Sequence, residues 1–210
     1  ELAPDTPDNY EGSEIDFLSK IDTYGNLAWS KTFVGEERIQ DVEFRNGLIY
    51  VGGSKTRVFN TDGTKTLEID HGGASVWDVA ADNVGNIYVC GGAFEAKYAA
   101  NGNLLWQVNN PSEVNMHCTV SVTQYGGVYV AHEIYFADQL RVAKISEAGN
   151  VEWVKALAEP ASNAGSMTGL PLVAEAADGS VYAVSSTADG RKLYKLDASG
   201  NTLWSRASTD

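Results

Sequence analysis

The stretch Gly102-Asn103-Leu104-Leu105-Trp106 is one copy of a short unit that recurs along this chain of 210 residues. Three other copies keep the glycine, the asparagine and the tryptophan, and a fifth keeps the glycine but ends in leucine. The copies begin at Gly25, Gly63, Gly102, Gly149 and Gly200, so the successive steps are 38, 39, 47 and 51 residues. A recurring step of this size predicts a repeat array in which each copy belongs to one supersecondary unit.

Three short apolar runs accompany each of the last four glycine copies and predict further strands. A leading run, such as Val76 to Ala81, is followed by a run centred on a tyrosine, such as Tyr88. A third run places a lysine five residues before the repeat glycine, except that Val58 holds this place before Gly63. Runs rich in β-branched and aromatic residues, bounded by glycine and asparagine, are typical of strands joined by tight turns.

The unit is therefore a four-stranded blade, and the sequence predicts an all-β chain folded as a β-propeller of four-stranded antiparallel blades. Full blades are predicted at 39–67, 76–108, 118–156 and 171–207, with a half blade at 15–33 and a linker or tail at 1–14. The half blade lacks its two inner strands. Since the chain also begins without Met, we expect 15–210 to be part of a larger ring, a larger chain or an assembly. The alternative is that residues 1–10 contribute a strand that completes the half blade.

Two stretches, 21–30 and 192–205, resemble the PQQ-like propeller repeat, in which a strand and Leu-Asp precede small residues, a glycine and a tryptophan. The stretches 84–89 and 102–106 are similar to the bacterial seven-bladed propeller repeat. The resemblance covers about 15–208. Quinoproteins of this superfamily use adjacent cysteines, calcium and a catalytic aspartate. This chain has no adjacent cysteines and no motif that maps onto the calcium ligands or the aspartate. The resemblance therefore implies the branch without a quinone, and no cofactor is predicted.

The net charge and the composition of the chain reduce the number of partner classes that we expect it to bind. The chain carries 15 Lys and Arg against 28 Asp and Glu, a net charge of -13. Such a surface disfavours nucleic acid and anionic membranes, and no apolar run approaches the ~20 residues of a membrane span. Cys90 lies in a predicted buried strand, where a buried thiol is the default expectation. A disulfide with Cys118 stays open, because the sequence does not give the distance between them.

Candidate ligand-binding residues come from the leading strands, which line the central channel of a propeller. Trp77 is the one tryptophan outside the repeat register, so it either faces a channel ligand or packs between blades. Asp41, Asp78 and Glu175 occupy leading strands of three blades and could converge at the channel mouth. No calcium-loop motif accompanies them, so solvated charge is favoured over a cation site, and no metal site is predicted. The repeat tryptophans are expected to pack between blades.

No catalytic residue is predicted, because the sequence has no nucleophile elbow and no credible nucleophile–base pair. The favoured interpretation is a non-catalytic structural or interaction module that binds a protein or glycan through its loops or channel mouth. We expect it on an extracellular, cell or virion surface. The alternative is a lyase or glycan hydrolase that uses the channel face. Fold alone does not separate these two functions.

Overall fold

The computed structural model describes residues 15–34, 38–109, 117–134, 139–158, 171–187 and 190–207. These residues form eighteen strands and no helix. The segment 1–14, predicted as a linker or tail, lies outside the described residues. The strands are β1 Ile15–Ile21, β2 Leu27–Val34, β3 Ile39–Arg45, β4 Leu48–Gly53, β5 Lys55–Asn60, β6 Lys65–Asp70, β7 Val76–Ala81, β8 Ile87–Gly91, β9 Phe94–Tyr98, β10 Leu104–Asn109, β11 Cys118–Val122, β12 Val128–Ile134, β13 Gln139–Ile145, β14 Val151–Ala158, β15 Leu172–Glu175, β16 Val181–Thr187, β17 Gly190–Leu196 and β18 Thr202–Ala207.

The strands form four antiparallel four-stranded sheets and one two-stranded sheet, each in simple sequence order. We name these the half blade (β1–β2), blade 1 (β3–β6), blade 2 (β7–β10), blade 3 (β11–β14) and blade 4 (β15–β18). The first strand of each full blade lies next to the first strand of the following one, in the order β3, β7, β11 and β15. This is propeller packing, and it confirms the predicted all-β propeller fold.

The repeat glycines close tight turns between the third and fourth strands of each blade. All five have a φ between 82° and 86°, which glycine adopts without the cost that a Cβ would add. At the first turn, Asp22 Oδ1 accepts hydrogen bonds from the backbone N–H groups of Tyr24 and Asn26, both at 2.8 Å. Asp197 holds the turn around Gly200 in the same way, with Ser199 and Asn201 at 2.9 Å. At these two turns the aspartate three residues before the glycine therefore stabilises the turn.

Each repeat lysine pairs directly with the repeat tryptophan across the two outer strands. The pairs are Lys20–Trp29, Lys97–Trp106, Lys144–Trp153 and Lys195–Trp204. A register irregularity beside each pair leaves one residue of the fourth strand, such as Leu105, without a paired residue on the third strand. In blade 1 the corresponding pair is Val58 and Leu67. The replacement of the lysine by Val58 and the replacement of the tryptophan by Leu67 therefore occur at one contact.

Apolar clusters fill the gaps between neighbouring blades, as expected when each blade must bury its faces against others. The cluster between blades 1 and 2 includes Tyr50 and Val79, and the cluster between blades 3 and 4 includes Leu157 and Leu196. Between blades 2 and 3, Cys90 and Cys118 form a buried disulfide with Cα atoms 6.1 Å apart. The expectation of a free buried thiol at Cys90 is therefore wrong, because the propeller curvature brings β8 and β11 within bonding distance.

Candidate functional site: the central cavity

A cavity of about 860 Å³ lies where the leading strands of the four full blades converge. Its wall is built from β3, β7, β11 and the turns that follow them, together with the end of β15. Consecutive residues of the leading strands line the cavity, for example 41–45 on β3 and 78–81 on β7. Asp41, Asp78 and Glu175, three of the four residues singled out in the sequence, all line this cavity.

The cavity carboxylates bridge neighbouring blades through backbone hydrogen bonds. Asp41 accepts from the N–H of Val79 at 3.2 Å, and Asp78 accepts from the N–H of Val120 at 2.7 Å. Glu175 accepts from the N–H of Gln124 at 2.9 Å. The edge of a leading strand carries backbone donors that lack a sheet partner, and a carboxylate satisfies such a donor strongly. These acidic residues therefore join the blades as well as lining the cavity.

Sequence reasoning missed Glu43 and Asp16, which make the same kind of bridge. Glu43 accepts from the N–H of Ala81 at 2.7 Å, and Asp16 accepts from the N–H of Ile39 at 2.6 Å. Glu43 stands two residues after Asp41 on β3, so both point to the cavity side. The two-residue spacing of Asp41 and Glu43 in the sequence was the signal that could have identified Glu43.

The carboxyl group of Asp78 favours its neutral form more than an exposed carboxyl group does. Burial, followed by a hydrogen bond from Asp78 to Asp41 and the charge of Asp41, raises the pKa of Asp78 to about 8. Burial also raises the pKa of Glu43, while the hydrogen bond from Ala81 opposes the shift. The wall of the cavity thus carries acidic groups, two of which have a raised pKa because they are partly removed from water.

Trp77 lies away from the cavity. Its ring meets that of His117 edge to face, with the centroids 4.3 Å apart, and it packs on the apolar cluster between blades 2 and 3. Asp78, its neighbour on β7, lines the cavity, whereas Trp77 is not among the lining residues. The structure therefore favours the second of the two interpretations, inter-blade packing.

Exposed apolar side chains complete the cavity wall and were also missed in the sequence. Phe44 and Val84 both line the cavity, and both are largely exposed to solvent. Exposed large apolar groups beside carboxylates mark a surface suited to a partner. Phe44 lies on a predicted strand, where an apolar side chain is normally assigned to the core, so sequence reasoning did not single it out.

A second group of ionisable residues lies between blades 2 and 3, near Trp77. His132 Nε2 is 2.5 Å from Glu95 Oε1, and both side chains are buried. His117 Nδ1 is 3.6 Å from Glu133 Oε2. Among the described residues, no three His, Cys, Asp or Glu side chains are arranged to hold a metal ion. In the same part of the chain, no helix has the length and apolarity that crossing a membrane requires.

The fold and the cavity define an array of PQQ-like propeller blades around an acidic lumen. Residues 17–209 match the family model described as outer membrane protein assembly factor BamB, and the chain belongs to this family. A comparison with curated proteins found no match.

Solved propellers share the fold at low identity. A protein of unknown function from Bacteroides caccae aligns with a TM-score of 0.60 and 14% identity, over 88% of this chain and 66% of that one. The Pan2 WD40 domain of Neurospora crassa gives 0.59 and 13%, over 82% and 50%. The Dos1 propeller gives 0.59 and 13%, over 91% and 50%. This chain thus spans about half to two thirds of the length of these structures.

Proposed function

We propose that this chain is a non-catalytic interaction module that binds a cationic, partly apolar segment of a protein partner at the mouth of its central cavity. The observation that carries the proposal is the placement of exposed Phe44 and Val84 among the carboxylates of the cavity wall. Apolar anchors give a binding patch most of its affinity, and surrounding charges select the partner and guide its approach. A net charge of -13 acts in the same direction over a longer range.

The way in which the carboxylates are used supports a binding role over catalysis. Asp41, Asp78 and Glu175 each give an oxygen to a backbone N–H of a neighbouring blade. A group committed to such a bridge is held in place for structural reasons. The family description, an assembly factor, also suits a module that acts by binding other proteins.

We further propose an extracytoplasmic location, at a cell surface or on a particle. The Cys90–Cys118 disulfide supports this, because disulfides persist in oxidising compartments and are rare in reducing ones.

Binding is tested with two labelled peptides of equal length that share the same apolar residues, one rich in lysine and the other rich in glutamate. Fluorescence anisotropy should show binding of the cationic peptide alone. Phe44→Ser should weaken that binding about tenfold, the effect of losing ~1.4 kcal/mol at a central anchor. The matched control is Leu105→Ser, which removes an exposed apolar side chain on β10, away from the cavity. Equal binding of both peptides, or an unchanged affinity in Phe44→Ser, would contradict the proposal. A neutral oligosaccharide array run in parallel tests whether a glycan is the ligand instead.

One observation favours the enzyme alternative, a glycan hydrolase. Asp78 lines the cavity with its pKa raised to about 8, and a carboxyl group whose pKa is raised can serve as a general acid near neutral pH. Release of reducing ends from an oligosaccharide panel by the parent, together with its loss in Asp78→Asn, would establish hydrolysis and displace the binding proposal.

A further inference from the structure

The gap between blades 1 and 2 differs from the gap between blades 2 and 3 at three positions. Between blades 2 and 3, Trp106 donates its indole N–H to the carbonyl of Glu147 at 3.0 Å, and the carboxylate of Glu147 pairs with the amine of Lys97. The corresponding positions between blades 1 and 2 hold Leu67, Ala100 and Val58. Small apolar side chains therefore replace a large ring and an ion pair at this one interface.

A cavity of about 360 Å³ lies in the gap where these replacements occur. Its volume falls within the ~300–1,000 Å³ that is usual for small-molecule sites. Apolar side chains make up much of its wall, namely Leu48, Val58, Leu67 and Ile87. The described residues that line it are all uncharged, although the chain as a whole has a net charge of -13. We call this cavity the Tyr50 pocket, after the tyrosine that also lines it.

The hydroxyl group of Tyr50 has no hydrogen-bond partner among the described residues, although the side chain is only 1% exposed. It lies 3.9 Å from where a Cβ on Gly85 would stand, and Gly85 lines the same pocket. The equivalent tyrosine of blade 2, Tyr88, donates to the carbonyl of Gly126 at 2.6 Å. A buried hydroxyl group without a partner destabilises a fold, so a ligand that accepts this hydrogen bond gains from it.

Three other gaps show the shape that this part of the interface accepts. In each of them the ring of a repeat tryptophan lies against the turn glycine of the next blade, namely Trp29 at Gly63, Trp106 at Gly149 and Trp153 at Gly200. Between blades 1 and 2, Leu67 contacts Gly102 instead. Because leucine lacks the two fused rings of an indole, the Tyr50 pocket has room for a planar ring system of that size.

The gap between blades 3 and 4 has a different chemistry. A cavity of about 500 Å³ lies there, and its lining includes Lys144, Glu152 and Asp178. Lys144 Nζ is 3.0 Å from Glu152 Oε2. Charged groups favour water over an apolar ring, so a neutral aromatic molecule should prefer the Tyr50 pocket to this one.

We propose that the Tyr50 pocket binds a neutral, planar aromatic molecule of two fused rings that accepts a hydrogen bond from the Tyr50 hydroxyl group. The apolar wall and the uncharged lining select such a ring, and the hydroxyl group orients it. The pocket adjoins the central cavity, with which it shares Asn83 and Val84. The inference does not depend on the protein partner proposed for the central cavity.

The test compares quinoline with naphthalene, two molecules of the same shape of which only quinoline has an acceptor, its ring nitrogen. Each is titrated at neutral pH into the isotope-labelled 210-residue chain, and binding is measured from the shifts of backbone amide signals. Quinoline should saturate with a Kd below about 1 mM and shift signals of blades 1 and 2 around the pocket. Naphthalene should bind about tenfold more weakly, because it leaves the hydroxyl group without a partner.

Two variants with matched controls locate the site. Tyr50→Phe should remove the preference for quinoline over naphthalene, whereas Tyr129→Phe, at the equivalent tyrosine of blade 3, should keep it. Leu67→Trp restores the repeat tryptophan and should weaken the binding of both molecules at least tenfold, whereas Leu105→Trp, at an exposed position on β10, should not.

Several results would overturn the proposal. They are quinoline binding that does not saturate, signal shifts outside blades 1 and 2, equal binding of the two molecules to the parent, and a preference for quinoline that survives in Tyr50→Phe. A folded Leu67→Trp that binds quinoline as the parent does would overturn it as well. If Leu67→Trp does not fold, the comparison of Tyr50→Phe with Tyr129→Phe decides.

Discussion

At the residue scale, the repeat tryptophan contacts its own blade on one side and the next blade on the other. Within its own blade Trp106 stands opposite Lys97 and stacks edge to face on Tyr88. Across the gap its indole N–H donates to the backbone carbonyl of Glu147, and its ring covers Gly149 of blade 3. Lys97 is itself buried and pairs with the carboxylate of Glu147. A buried amine needs such a partner, because an unpaired charge in this position would be costly.

We predict that Trp106→Ala lowers the free energy of unfolding by about 3 kcal/mol, the lower end of the range for truncating a buried aromatic, since part of the indole stays exposed. Trp204→Ala is the matched control, because this tryptophan is 38% exposed and donates to no turn of another blade among the described residues. In dilute protein it should cost less than about 1 kcal/mol. Urea unfolding measures both. Equal losses in the two variants would mean that contacts within the blade, rather than the contact with the turn of the next blade, stabilise the fold.

The raised pKa of Asp78 makes the stability of the fold depend on pH. The pKa of Asp78 is raised from its usual value near 4 to about 8 in the folded state, so the folded state holds the proton more tightly than the unfolded chain. This contribution is fully present below about pH 4 and is lost as the pH rises through about 8.

We therefore predict that the stability of the parent declines between about pH 4 and pH 8 by more than that of Asp78→Asn. The asparagine is neutral at every pH, and its side-chain oxygen can still accept from Val120. Urea midpoints measured at intervals across this window give the comparison. A parent and a variant with parallel pH profiles would show that Asp78 ionises normally in the folded protein.

At the scale of the elements, the tight turn after each third strand has two functions. It reverses the chain within its blade, for which the positive φ of glycine is required, and it provides the flat surface on which the preceding tryptophan rests. Some turn glycines serve only the first function. Gly47 has a φ of 77°, and a Cβ there would meet nothing within 4 Å, whereas Gly149 lies against Trp106.

The pair Gly47→Ala and Gly149→Ala should separate backbone strain from the lost contact. Both variants place alanine at positive φ, which costs roughly 1–2 kcal/mol. Gly149→Ala also forces its Cβ against the indole of Trp106, which adds ~1–3 kcal/mol of overpacking. Thermal unfolding should therefore rank Gly149→Ala clearly below Gly47→Ala. If both melt together, the indole moves aside at little cost.

At the scale of the whole molecule, the array is held by interfaces between neighbouring blades, and one of these interfaces is covalent. The Cys90–Cys118 bond joins blades 2 and 3 across 28 positions of sequence. In a repeat array, stability is distributed over nearest-neighbour contacts, so a cross-link at one interface opposes its opening directly.

We predict that replacing both cysteines by alanine lowers the free energy of unfolding by ~3–4 kcal/mol, the loop-closure value for a bridge of this span. The intact mass after alkylation without reductant should show no added label, and after unfolding with reductant it should show two. Labelling of both thiols in the unreduced, unfolded chain would show that the disulfide does not form.

The sequence by itself determined the fold, because the features that specify a blade are local. The period of the glycine copies, the apolar runs and the turn residues each act within a few positions, and the strands follow them closely. The exchange of a lysine and a tryptophan for Val58 and Leu67 was also visible, although as two separate departures. Only strand pairing shows that they are one contact.

The tertiary structure decided everything that depends on neighbouring blades, because sequence spacing does not report the gap between two sheets. It brought Cys90 to Cys118, turned Trp77 toward His117, and directed the carboxylates of Asp41 and Asp78 onto the next leading strand. It also separated Trp204 from the other repeat tryptophans. The four residues are equivalent in the sequence, but among the described residues Trp29, Trp106 and Trp153 each donate to a turn of the next blade and Trp204 does not.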